Sequence, residues 1–338
     1  MKKLAILGFI LSFSSAAAAQ ELTSNLSSVS TEYSRLYVAP LVDAYGANIN
    51  AGLFHTARVG GGLIPKVDLY LGVKVFGALL PADRSFSLSY EADQVFVGPD
   101  GTRYVVPVAF DIDGAPTVFG ETETGEVVAA VNETIDAGLD GQMGTADDIV
   151  INETVSLPLL PGLINTPVAP LLVPHAQIGS VRGTDLMIRY LPTLSTDTYG
   201  KISFRGFGLR HSISQYIPMF PASLSAQVVY QRLSIEDASE NQTVLASAYA
   251  ANVAISKSLA VVTVYGGLQL EKTRVEVDYA YDTGIPELGV QEIQFIDTAD
   301  NRFRAIAGIT FTPGPLQMNV DYAVGATRTV SAGIGISL

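Results

Sequence analysis

Apolar and polar positions alternate along the last eleven residues, Arg328 to Leu338. Val330, Ala332, Ile334, Ile336 and Leu338 make one row, and Thr329, Ser331, Gly333, Gly335 and Ser337 the other. A period of two places these rows on opposite faces of a strand. So regular an apolar edge invites pairing with other strands. A transmembrane barrel, whose last strand pairs with its first, removes that edge. The rhythm recurs upstream. Val67 to Gly77 alternates cleanly, and outward rows follow at Leu186 to Tyr190, Leu224 to Tyr230, Tyr249 to Val253, Val262 to Leu270, Phe303 to Phe311 and Leu316 to Val324. After Leu270 the outward row turns charged at Lys272, Arg274, Glu276 and Asp278, so this strand leaves the lipid and projects above it. The phase slips near Arg205-Gly206, which predicts a β-bulge, and again near Gln231-Arg232. Tyr190, Phe204, Tyr230, Phe303, Phe311 and Tyr322 fall on outward rows and predict interfacial girdles in a chain without tryptophan. The predicted class is all-β, an antiparallel transmembrane β-barrel of about 10–14 strands.

The N-terminal third departs from this rhythm. Met1-Lys2-Lys3, the apolar run Leu4 to Phe13 and Ala17-Ala18-Ala19 read as a cleaved secretory signal over residues 1–19. Within residues 20–50, Leu22, Leu26, Val29, Tyr33 and Leu36 recur at three- and four-residue steps, which predicts a weakly amphipathic helix ended by Pro40 and Gly46. It reads as a hatch in or under the lumen or, equally, as a docked periplasmic tail. Residues 51–338 are assigned to the barrel, with strands expected from near Ala51. They include an extracellular insert at 81–175, whose end from Leu157 to Pro174 reads as an irregular cover.

Composition sharpens this picture. Hydrophobic residues make up 48% and charged residues 16%, with 31 glycines, and the mean hydropathy is +0.31. The formal net charge is −13. Residues 91–160 hold fourteen acids against one base, Arg103, a local net of −13. Such a segment cannot cross lipid, and an acidic chain is a poor partner for nucleic acid. The absence of cysteine excludes a disulfide framework and a lipoprotein anchor.

Three stretches, Leu41 to His55, Gly183 to Tyr190 and Phe207 to Pro218, resemble motifs of an uncharacterised family of bacterial outer-membrane β-barrel proteins. That family has no assigned activity. The order of hatch then barrel is distantly similar to the outer-membrane transporters of long-chain fatty acids and hydrophobic compounds. The resemblance implies a place in the cell outer membrane, with lipid and the insertion machinery as partners.

Two groups of residues bear on chemistry. The inward rows supply Asp185, Arg189, Lys201, Arg210, Gln269, Arg302, Arg304, Asn319 and Asp321 as lumen-lining residues. They read either as a packed interior of paired charges or as a solute path. The small inward residues of the final strand predict room beside it. In the insert, Asp136, Asp140, Asp147 and Asp148 have the spacing of a calcium loop, with Gly141 at its turn, although Gly138 leaves one ligand position empty. The same residues also read as an ordinary Gly-Asp turn. No enzyme is expected: His211-Ser212 are strand neighbours facing opposite ways, and no nucleophile-elbow or zinc-hydrolase motif occurs. The leading functional expectation is passive transport of a small or hydrophobic solute gated by the hatch. The alternative is a closed structural or surface-interaction barrel that displays the acidic loop.

Overall fold

A computed structural model describes residues 31–60, 68–98, 101–123, 125–135, 148–162, 165–196, 200–236, 242–282 and 290–338. Among these residues one α-helix, α1 (Thr31–Ile49), precedes fifteen strands. Ten of them close a barrel: β1 (Asp68–Leu79), β6 (Val168–Val181), β7 (Thr184–Thr196), β8 (Gly200–Ser212), β9 (Ser223–Glu236), β10 (Gln242–Leu259), β11 (Val262–Asp282), β13 (Phe303–Phe311), β14 (Leu316–Val324) and β15 (Thr329–Ser337). Neighbours are antiparallel, and β15 closes on β1 with Val73 opposite Ile334 and Tyr70 opposite Ser337. The outward row of the last strand therefore has its partner in the first. An eleventh strand, β12 (Val290–Thr298), pairs only with the far half of β11, and β13 takes over that edge below it.

The other strands form two hairpins between β1 and β6. β2 (Ser85–Val97) pairs with β3 (Arg103–Pro116), and β4 (Glu126–Ile135) with β5 (Ile149–Pro158). This end of the barrel, reached by Leu79 and left by Val168, is called upper here. The lower end holds Asp68, Leu338 and the short turn at Arg182-Gly183. On the lower half, large apolar side chains face outward on every strand, among them Leu71, Leu186, Leu209, Val228, Val253, Leu268, Ile309, Val320 and Ile334. β13, β14 and β15 have nine residues each. At ~3.3 Å per residue and a tilt of ~40° they rise roughly 23 Å, which matches the apolar band of a transmembrane barrel.

Several expectations are corrected. There is no bulge at Arg205-Gly206 and no slip at Gln231-Arg232, where β8 and β9 pair in unbroken register. The irregularity lies between Leu191 and Leu194 on β7. Phe204 points inward and is 1% exposed, so it belongs to no girdle. The cause is an inversion of surroundings along each strand. Low on β8 the inside is Gly206, Gly208 and Arg210, and the apolar residues face lipid. Higher up the inside is apolar, with Ile202 and Phe204 buried. The apolar row thus changes face without any extra residue. Helix α1 continues through Pro40 to Ile49, and residues 51–60 form no strand but run down the lumen. The stretch from Leu157 to Pro174 is no irregular cover, because β5 reaches Pro158 and β6 starts at Val168, inside the predicted insert. Pro170 and Pro174 are tolerated on β6 because its pairing with β7 covers only its lower part, from His175 downward.

Candidate functional site

The feature that sets this barrel apart is its filled lumen. Ten residues of α1 are buried, and towards its end burial runs almost all round: Ala44, Gly46, Ala47, Asn48 and Ile49. A helix surrounded on all sides needs no single apolar stripe, which accounts for its weak amphipathicity. Gly46 is required by the close approach of Ala299 and Thr273. After Ile49 the chain becomes extended, with Gly52 at φ +55°. Phe76, Ser331 and Lys74 crowd the place a Cβ at Gly52 would take, so only glycine fits.

An extended segment without strand partners must satisfy its backbone elsewhere. Three arginines of the wall donate to carbonyls of this segment and of the last turn of α1, at three levels. At the top, Arg304 donates to Ala47 O (2.8 Å) and to Thr329 Oγ1 (3.1 Å), while Glu271 takes its charge through both carboxylate oxygens (2.7 and 2.5 Å). In the middle, Arg189 donates to the carbonyls of Ile49 (3.1 Å), Ala51 (2.8 Å) and Gly52 (2.6 Å). It also donates to Gln231 Oε1 and, through Nε, to His175 Nδ1, and its guanidinium stands 5.1 Å from the Phe76 ring centroid. At the bottom, Arg210 donates to Thr56 O (2.6 Å) and Arg58 O (3.2 Å) and pairs with Asp185 at 2.6 Å. Gln231 and Gln269 donate to Ile49 O and Asn50 O, Thr273 to Gly46 O, and Thr310 to His55 O. The guanidinium presents its donors in a fixed fork, which suits carbonyls presented by a chain in an irregular path.

Above this polar zone the lumen is apolar. α1 contributes Tyr33, Tyr37, Val38 and Val42 to a core that includes Phe204, Leu233, Val244, Val275 and Val277 of the wall. The same core continues into the hairpins through Phe96, Val108, Phe110 and Ile151, and through Phe119 and Leu160 of the connections. Polar contacts fix the joint: Tyr37 Oη donates to Pro161 O (2.8 Å), Tyr33 Oη accepts from Leu160 N (3.2 Å), and Val118 N donates to Tyr37 O (3.0 Å). Beside this core, Asp43 accepts the Asp300 N–H at 2.8 Å. Burial still pushes its carboxyl above the ordinary carboxylate value, with Asp300 and Asp297 adding to the rise.

Of the predicted lumen residues, Asp185, Arg189, Arg210, Gln269, Arg304, Asn319 and Asp321 are buried inside the barrel. Lys201 and Arg302 are not lumenal. Lys201 stands on the outward row of β8, opposite in phase to Ile202 and Phe204, and Arg302 is exposed just before β13 begins. The room predicted beside the last strand is taken: the Tyr70 ring lies over Gly335, and Asn319 and Lys74 lie over Gly333. Asp136, Asp140 and Asp147 lie outside the described residues, and Asp148 immediately precedes β5. No group of three or more metal-ligating side chains occurs among the described residues. His211 is engaged by Thr184 Oγ1 (2.7 Å), Tyr216 Oη and Gln215, not by Ser212. The sequence allows a hatch in the lumen but does not reveal that the backbone of this segment is the partner of the inward arginines. Its carbonyls carry no sequence signal, and only the number of arginines and glutamines on inward rows hinted at a polar occupant.

The architecture is that of a transmembrane β-barrel of the outer-membrane kind, closed by its own N-terminal segment. The chain belongs to the family of unknown function DUF6588, whose model matches residues 1–338. No curated protein matches it. Among solved structures it is similar to a loop-deletion mutant of OmpT, an outer membrane protein of Vibrio cholerae, at 10% identity and a TM-score of 0.25, over 80% of this chain and 99% of that one. It is also similar to the β domain of the Bordetella autotransporter BrkA (12%, TM-score 0.28, 81% and 100%). A third is the outer membrane channel DcaP of Acinetobacter baumannii (13%, TM-score 0.19, 80% and 97%). Likenesses at these scores leave function open.

Proposed function

We propose that this protein is an outer-membrane anchor whose plugged barrel holds a folded acidic head at the cell surface. A cleaved signal over residues 1–19 delivers it, and the lipid-facing row ending at Leu338 serves the insertion machinery. Short turns lie on the periplasmic side of such barrels and long loops outside, which puts the hairpin head outside. One observation carries the reading: α1 forms a single apolar core with the hairpins and the upper strands. A gate that had to leave the lumen would tear that core apart, besides breaking three arginine clamps. The helix is on this account a pillar of the head and not a hatch.

Two measurements test this. An epitope inserted at Gly101, in the exposed turn between β2 and β3 with open space around it, is expected to be labelled by antibody on intact cells. Purified protein in planar bilayers is expected to give no solute-sized conductance steps. Steady, large conductance from intact protein overturns the anchor reading in favour of a second one, passage of a small or hydrophobic solute past the plug. That second reading draws on buried polar atoms between the plug and β1, β14 and β15 that have no hydrogen-bond partner among the described residues: Tyr70 Oη, Lys74 Nζ, both amide atoms of Asn319 and Ser331 Oγ. Calcium in the 136–148 loop remains part of the proposal. Calorimetry on the full chain with millimolar calcium tests it, and no heat rules it out.

A further inference from the structure

The described part of the plug ends at Gly60, near the lower end of the barrel. A vestibule of about 220 Å³ lies there, and His55, Arg58, Tyr70, Gln177, Arg210 and Gln317 are in its lining. Hydroxyls of Ser258, Thr263 and Thr312 and the Asp68 carboxylate complete a polar wall. His55 and Arg210 are 3% and 2% exposed, so these are built-in groups, not solvent-facing ones. The Arg58 guanidinium is exposed, makes no side-chain hydrogen bond with the described residues and faces the Asp68 carboxylate only through their charges, while its backbone is tied to Thr56 and Arg210.

The charges do not balance. Counted by formal charge, four bases, Arg58, Lys74, Arg189 and Arg210, stand in and behind the vestibule against three acids, Asp68, Asp185 and Asp321, so that the fully buried Lys74 amine is the one base without an acid to match it. Asp185 is committed to Arg210, and Asp321 accepts from Tyr265 Oη at 2.9 Å. Lys74, two positions above Tyr70 on the same inward row, is fully buried and makes no hydrogen bond with the described residues. Behind the rim, His175 Nδ1 accepts from Arg189, so Nε2 carries the ring proton, and it too finds no acceptor. Buried donors without partners are costly, and an acceptor-rich anion would satisfy them and favour the charged form of the Lys74 amine. The contrast with the rest of the molecule is sharp, since the chain as a whole carries −13.

We propose that this vestibule binds a small oxyanion, a carboxylate or a phosphate, entering from the lower mouth, with Arg58 as its direct contact and Lys74 supplying the field behind it. The volume is below that of drug-sized pockets, about 300 Å³ and upward, so the fitting ligand is a compact anion or the anionic end of a larger molecule. Calorimetry on the full chain in neutral detergent, with acetate, inorganic phosphate and glycerol as probes, tests this. Saturable binding of acetate or phosphate but not glycerol is expected. Arg58→Gln, which leaves the backbone contacts intact, should weaken it at least about tenfold, roughly 1.4 kcal/mol. Lys74→Met keeps the stem and should weaken it less, with circular dichroism and gel mobility confirming the folded barrel. Equal glycerol binding, no saturable anion heat up to about 50 mM, or an unchanged affinity in both variants overturns the proposal. None of these outcomes bears on the anchor reading, which rests on conductance and labelling.

Discussion

The two halves of the lumen solve one problem in opposite ways. Both must fill a barrel of ten strands with the same N-terminal segment. The upper half does it with a helix, whose backbone is self-satisfied, so the surrounding wall is apolar: Phe204, Leu233, Val244 and Val277. The lower half does it with an extended chain, whose carbonyls are left over, so the wall there supplies Arg189, Arg210, Gln231 and Gln269. β11 shows both solutions on one strand. Its inward row runs from Tyr265, Gln269 and Glu271 to Val275 and Val277, and its outward row from Val264, Leu268 and Leu270 to Lys272, Arg274 and Asp278. What lies inside is set by the backbone of the occupant, and what lies outside by lipid or water.

The largest effect that tests this contrast is expected at Arg189. Arg189→Met keeps the bulk but leaves the carbonyls of Ala51 and Gly52, His175 Nδ1 and Gln231 Oε1 without this donor, while Ile49 O keeps its bond from Gln231. Each unpaired buried group costs about 1–3 kcal/mol, so a loss of at least about 4 kcal/mol in plug docking follows. Hydrogen exchange should accelerate at residues 49–57 while the girdle strands stay protected. Uniform protection in the variant would show that the clamps are dispensable.

In the upper half the corresponding damage is a cavity. Phe204→Ala should cost about 3 kcal/mol in urea unfolding. Because the core is shared, the hairpins should become protease-sensitive together with α1. If only one of them loosens, the head and the pillar are separate units and the anchor reading weakens. The outer face gives a smaller and position-dependent effect. Leu268→Arg, in the lipid band, should cost about 2 kcal/mol, whereas Arg274→Leu, three positions higher on the same row, should stay within about 0.5 kcal/mol. Its pair with Glu276, 3.2 Å long and well exposed, is of the kind that contributes little.

The lower half of the fold was plain in the sequence because lipid outside and polar groups inside give a clean alternation. Closure of β15 on β1 followed from the row ending at Leu338. The upper half misled for a definite reason. Phe204 is as apolar as Phe207, and alternation alone does not say which of them meets lipid and which meets a helix. The apparent slip at Arg205-Gly206 was that exchange of environments, read as an extra residue. Lys201 was misassigned by the same shift of phase. Arg189 and Arg210 were recognised as inward, but their role was hidden, since the groups they bind are carbonyls of Ile49, Ala51, Gly52, Thr56 and Arg58. The insert was recognised by charge. Its hairpins were not, because Glu and Asp on their outer faces masked the buried rows of Val106, Val108, Phe110 and Ile112.

The smallest effect concerns the seam between the halves and the head, at Asp43. Its carboxyl is held above the ordinary value, chiefly by burial, so the folded state binds its proton more tightly than the unfolded chain does. The sign follows from linkage: the favourable contribution is complete below the unfolded value and is lost as pH rises through the folded one. Asp43→Asn keeps an oxygen to accept the Asp300 N–H and removes the titration. The variant should match the parent in acid and exceed it slightly near neutrality, by about half a kcal/mol at most given the partial exposure of the site. Urea midpoints measured across the carboxylate range check this. A variant that is weaker at neutral pH would mean that the ionised Asp43 anchors the Asp300 turn, and that the upper lumen relies on a charged clamp just as the lower lumen does.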